Sequence, residues 1–188
     1  MYRNIFDRLT GLIFKPKETW REIPQGEDEH EAFLCRFVYP VLGLVALAAF
    51  VGVFFNRKEF DLVIALKSSI KECVSYGGGF FLGAYLLNEI WGAIFKRQKD
   101  IKLCLFFVGY SSSVMYVLSI IMSLLPEVFF LRVLTVYTVY VIWEGAIPFM
   151  HVDEGEQMKF TVLASLIVML SPAIIWLALF LLMPGMRF

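Results

Sequence analysis

Two glutamates stand where a glutamate is costly. Glu144 lies in "VYVIWEGAIPF" (139–149), at the end of an apolar run that starts near Val128, and Glu89 lies in "LLNEIW" (86–91). An ionised carboxylate inside a bilayer costs several kcal/mol, from about 3 upward. Four chemical outcomes are open to such a pair. The acids are protonated, their pKa raised by desolvation and by each other. They hydrogen-bond as neutral acids to Tyr110, Tyr140 or the serines 111–113. They bind a cation. Or they line a water-filled cavity open to one side. The bland alternative is polar glue between helices.

The elements that hold these residues follow from hydropathy. Of 188 residues 59% are hydrophobic and only 18% charged, against about 45–50% and 25% in soluble domains. A span needs about 20 mostly apolar residues. Five windows qualify: 33–55, 73–95, 103–125, 128–150 and 160–183. The linkers between them are charged or turn-like ("NRKEFD", "KRQKD", Pro126-Glu127, "HVDEGEQMK"). Residues 59–72 are too interrupted to cross and read as a short interfacial helix. The expected fold is an all-α integral membrane bundle of five transmembrane helices, preceded by an N-terminal amphipathic helix.

Depth along these spans groups the polar residues. With cytoplasmic ends at Phe95, Leu103 and Met150, Asn88, Glu89, Tyr110 and Glu144 all lie about 9–11 Å below the boundary, and Ser111 slightly deeper. In span two, Ser75, Gly79 and Gly83 recur every four residues, a spacing that lets another helix approach closely. Glu89 falls about 40° from Ser75, while Asn88 falls almost opposite the stripe. Glu89 is therefore the expected interior residue. In span four, Tyr137, Tyr140, Glu144 and Pro148 share a face. Arg132 is about 18 Å from Glu144 along the axis and cannot be its partner; it is placed near the outer end, snorkelling. No basic residue shares the level of the two glutamates; Lys96, Arg97 and Lys102 stand at the boundary.

The amino-terminal segment reads differently. "MYRNIFDRLTGLIF" places Tyr2, Ile5, Phe6, Leu9, Leu12 and Ile13 on one helical face, which suits a helix lying on a leaflet. "KPKETWREI" follows: Pro16 suits a first helical turn, Lys15 and Lys17 suit anionic headgroups, and Trp20 suits an interface anchor. This box is either a membrane seat or a docking surface for a cytoplasmic partner. Residues 1–32 form the cytoplasmic segment and 33–188 the membrane domain. Lys and Arg number eleven on the side of the N-terminus and five on the other. The bias predicts a cytoplasmic N-terminus and an outside C-terminus in the cell (inner) membrane.

Several function classes are disfavoured. The net charge is zero, which gives no footprint for nucleic acid. Cys35, Cys73 and Cys104 form no metal or disulfide pattern. "GGG" (77–79) lacks any phosphate-loop context. His30 and His151 sit in linkers, and no Ser/His/Asp or Cys/His set converges at one depth, so no catalytic residue and no cofactor are expected.

"LIFKPKETWREI" followed by "FVYPVLGLVALAAFVGV", Gly109-Tyr110 in span three, and "YTVYVIWEGAIPFM" together resemble the Yip-domain membrane proteins, in their bacterial branch. The eukaryotic aspartate-leucine-tyrosine-glycine-proline motif is absent, and no proline follows the glycine-tyrosine pair closely. The resemblance implies a multi-pass membrane protein with a cytoplasmic N-terminus. Eukaryotic relatives bind Rab-type GTPases and one another; the motifs matched here are those of the bacterial branch. Two readings follow. The first is a non-enzymatic protein that organises membranes or docks partners, as an oligomer through span two. The second is an ion or small-solute transporter centred on Glu89 and Glu144. The bilayer is the expected partner in both.

Overall fold

A computed structural model describes residues 2–23, 32–56 and 61–182. His30, Arg57, Lys58 and Arg187 lie outside the described residues. Among the described residues every regular element is helical. The order is α1 (Tyr2–Phe14), α2 (Pro16–Glu22), a π-helical turn (Leu34–Val38) running into α3 (Tyr39–Asn56), α4 (Leu62–Ala93), α5 (Ile101–Ser111), α6 (Ser113–Leu124), a 3₁₀ stretch (Pro126–Val136) running into α7 (Tyr137–Ala146), and α8 (Gln157–Leu182). Three helical segments are long and apolar enough to cross a membrane: Leu34–Phe55, Pro126–Ala146 and Glu154–Leu182. A fourth counts if the bent pair α5–α6 is one span. Large apolar side chains cover the outside: Leu47, Phe81, Phe129, Val133, Leu166 and Leu170 are all exposed. In water such a surface would aggregate; in lipid it is the ordinary exterior.

Three boundaries differ from expectation. The interfacial helix expected at 59–72 and span two are one element: α4 runs unbroken from Leu62 to Ala93. Asp61 caps it, accepting from the Val63 and Ile64 amides at 2.8 and 3.2 Å. Span three is not straight. It bends by 41° between α5 and α6, at Ser112 (φ −76°, ψ −3°). The Ser112 hydroxyl donates to the Val108 carbonyl at 2.8 Å, a back-bond that competes with the helical ladder and favours a bend. Span four begins as a tighter 3₁₀ helix through Val136 and becomes α-helical only from Tyr137.

The helix α4 is the hub, packed against α3, α5 and α8. Its stripe of small residues faces α8 within the same chain. A Cβ on Gly79 would lie 2.6 Å from the Pro172 backbone, and one on Gly83 would lie 3.2 Å from the Ser171 hydroxyl. Ser75 is buried as well. The helix-packing stripe is thus filled by α8. Pro172 sits inside α8, and its ring fits because Gly79 has no side chain.

This packing sets a contrast between glycines. Gly79→Val must displace backbone, and an overpacked core site of this kind loses about 1–3 kcal/mol. At Gly43 nothing stands within 4 Å of the position a Cβ would take, so Gly43→Ala gains up to about 1 kcal/mol from helix propensity. Thermal unfolding of the detergent-solubilised protein should move down for the first variant and hold or rise for the second.

Candidate functional site

The amino-terminal segment enters the bundle. Trp20 is 1% exposed, not at an interface. Its indole N–H donates to the Val141 carbonyl of α7 at 2.9 Å. Its ring stacks on Phe107 of α5 with centroids 5.2 Å apart, meets Tyr110 edge-on at 6.1 Å, and tilts against Phe149 at 5.0 Å. Gly145 makes room: a Cβ there would lie 2.5 Å from the Trp20 ring. The surface anchor expected of Trp20 is therefore a core plug. An indole offers more apolar area to these aromatic neighbours than to a headgroup layer, and its one polar atom is satisfied inside.

Around the plug the box divides by chemistry. Pro16 and Trp20 are buried, while Lys15, Lys17, Glu18, Arg21 and Glu22 are turned outward. Lys15 and Glu18 form an exposed pair at 3.5 Å. Two further bonds fasten α1 to the bundle. Arg8 donates to the Tyr110 hydroxyl at 2.5 Å, and the Tyr137 hydroxyl donates to the Ile13 carbonyl at 2.8 Å. Depth along the spans predicts that Tyr110 faces a polar layer with the glutamates; it faces the amino-terminal helix instead.

The glutamates are placed apart. Glu89 is half-exposed and is held by Lys99, whose ammonium lies 2.7 Å from both carboxylate oxygens. Span counting gives Glu89 no basic residue at its level. The 96–100 loop supplies one by turning back over the end of α4, which brings Lys99 across Gly92, where a Cβ would lie 2.8 Å from the lysine chain. Asn88, expected to point outward, is buried, and its side-chain oxygen has no partner within the described residues. The two residues exchange roles because α4 packs against three helices. Its buried face is broad, running through Phe80, Ala84, Leu87, Asn88 and Trp91, and the small-residue stripe is one flank of it rather than its centre. Glu144 is half-buried beside the Tyr140 hydroxyl, one turn earlier on α7. The helices α4 and α7 are not principal packing partners; α8 and α5 each touch both. Ser111 is fully buried, and its hydroxyl has no partner within the described residues. Among the described residues no group of three His, Cys, Asp or Glu side chains could hold a metal ion.

One polar cluster is not evident from the span pattern. Glu72 accepts from the Ser119 hydroxyl at 3.3 Å, with the charges of Lys71 and Arg132 and the Tyr76 ring close by. Arg132, expected to snorkel alone, thus lies near enough to α4 for its charge to act on Glu72. The signal is the i, i+4 pair Glu72 and Tyr76, hidden by placing residue 72 outside the span.

The plug is testable by a cycle. Trp20→Ala leaves a large cavity and frees a carbonyl, a loss of about 3–5 kcal/mol. Gly145→Ala forces the indole aside and should destabilise alone, yet cost little more in the Trp20→Ala background. Thermal unfolding of the four proteins measures the coupling; additive losses would show that the two residues do not act on each other.

Comparison with known proteins gives one positive finding. No curated protein and no solved structure matches the chain significantly. The Yip1 domain matches residues 10–183, a stretch that takes in the plug, the bent pair α5–α6 and the helices of the bundle. The chain belongs to the Yip1-domain family of membrane proteins.

Proposed function

We propose that this chain is a non-enzymatic, five-span membrane protein that presents its amino-terminal segment as a rigid docking surface for a cytoplasmic protein partner. One observation carries the reading. The box "KPKETWRE" is clamped by Trp20 from within, while Lys15, Lys17, Glu18 and Arg21 stand exposed on the outer face. A surface held rigid loses little entropy when a partner binds. A charged, fixed face suits a polar protein surface better than it suits hydrocarbon.

The fifth span in this reading is α4. Its 32 residues extend about 48 Å, beyond the roughly 30 Å hydrocarbon core. The Lys and Arg bias supports a cytoplasmic N-terminus and an outside C-terminus in the cell membrane. A homo-oligomer in this reading uses a surface other than the α4 stripe.

A second reading is passage of an ion or small solute. It draws on the interior hydroxyls and amide that find no partner within the described residues, among them Asn88, Ser111, Ser113, Thr138 and Ser165. These lie on five different helices and would be satisfied by water or a polar solute. Glu89 and Glu144 would then serve as the outer carboxylates of the path.

Two measurements separate the readings. Full-length protein in vesicles should capture a cytosolic protein, and Lys15→Glu with Lys17→Glu should abolish capture without lowering thermal stability. Liposome flux assays should show no ion- or proton-coupled transport. Flux that is present in the native chain and lost in Glu89→Gln or Glu144→Gln would overturn the docking reading in favour of transport.

A further inference from the structure

A cavity of about 930 Å³ lies between α1 and a wall built by α3, α6 and the start of α7. Its volume is at the upper end of the roughly 300–1,000 Å³ of small-molecule sites. Phe6, Ile13 and Phe14 line one side; Leu47, Val117 and Leu134 line the other. Among the described residues only Thr10 and Tyr137 bring polar side chains to it, and both hydroxyls are already spent. Thr10 donates to the Phe6 carbonyl at 2.7 Å and Tyr137 to the Ile13 carbonyl at 2.8 Å.

The chemistry of the walls decides the occupant. The hollow opens along one side to the apolar exterior, so in a bilayer it is filled from there. Water has no partner on these walls and does not fill dry apolar cavities. A flexible hydrocarbon chain fits the volume and asks for no hydrogen bond. The walls are continuous with the exterior: Phe6, Phe14, Leu47 and Leu134 are each at least half exposed, on the same apolar surface that faces lipid.

Hydrocarbon alone gives no preference over the bulk bilayer, whose tails are as apolar as leucine. Selectivity must come from the headgroup. Phe14, the last lining residue of α1, is followed directly by Lys15 and three residues on by Lys17, both exposed. The Glu18 carboxylate lies 3.5 Å from the Lys15 ammonium, a weak exposed pair that a phosphate can displace. We propose that this cavity holds an acyl chain of an anionic phospholipid, with its phosphate on Lys15 and Lys17. The proposal does not rest on the docking reading, but it shares Lys15 and Lys17 with it; cavity-filling tryptophan variants, which leave both lysines in place, test the lipid alone.

The test uses full-length protein reconstituted into vesicles of equal phosphatidylglycerol and phosphatidylcholine, re-extracted in mild detergent and weighed by native mass spectrometry. The native chain should retain one phosphatidylglycerol in preference to phosphatidylcholine. Val117→Trp fills the cavity and should lower retention about tenfold, equivalent to about 1.4 kcal/mol. Leu47→Trp, at a half-exposed rim position that tolerates a large side chain, should act in the same direction if Val117→Trp does not fold. Lys15→Gln with Lys17→Gln should keep a bound lipid but bring the two headgroups to parity. Equal retention of both lipids by the native chain overturns the proposal. So does undiminished retention in a folded tryptophan variant, or a lipid-free dimer that the tryptophan variants split.

Discussion

A tryptophan without a place in water or lipid organises this molecule. Trp20 gives its single N–H to a backbone carbonyl on α7 and its ring to aromatic side chains from α5 and the 147–150 turn. Everything near it accommodates that insertion. Gly145 is bare because the ring lies where its side chain would be. Arg8 and Tyr137 tie down the helix that precedes the plug. The charged residues of the same short helix are left outside because the buried ones set its rotation. A segment that composition assigns to the membrane surface is thereby an integral wall of the bundle.

The bundle itself rests on a second close approach. Gly79 and Pro172 bring two backbones together at a point where neither residue needs the space. Proline lacks an N–H to lose, and glycine lacks a Cβ to clash. In a bilayer, where apolar burial does not drive helices together, such van der Waals fit is the main source of cohesion. It explains why the small-residue stripe of α4 is satisfied inside the chain.

How much of this was legible in the sequence divides along physical lines. Three of the apolar windows were legible as long apolar helices, and a fourth as the bent pair α5–α6, because hydropathy over 20 residues averages out local error. The all-α membrane class and the family follow from the same windows and from "KPKETW" and "YTVYVIWEGAIPF". The facing of Asn88 and Glu89 was not legible, because a helical wheel gives angles but not the number of neighbours. With three helices around α4, the interior arc is broad enough to swallow Asn88 and leave Glu89 to Lys99. The bend at Ser112 carries no proline to announce it; it depends on which hydroxyl returns to its own backbone. The fate of Trp20 was hidden for another reason: interface anchors and core plugs use the same residue, and only the partner 121 positions away tells them apart.

That separation has a consequence for how the chain is made. The amino-terminal segment leaves the ribosome first, yet its binding site is composed of α5 and of α7, the last helix but one. Until Gly145 has entered the membrane, the indole has no complete pocket. Closing so long a loop is entropically slow compared with local contacts. The plug therefore closes only after α7 is in place, a latch set by residues made more than a hundred positions later.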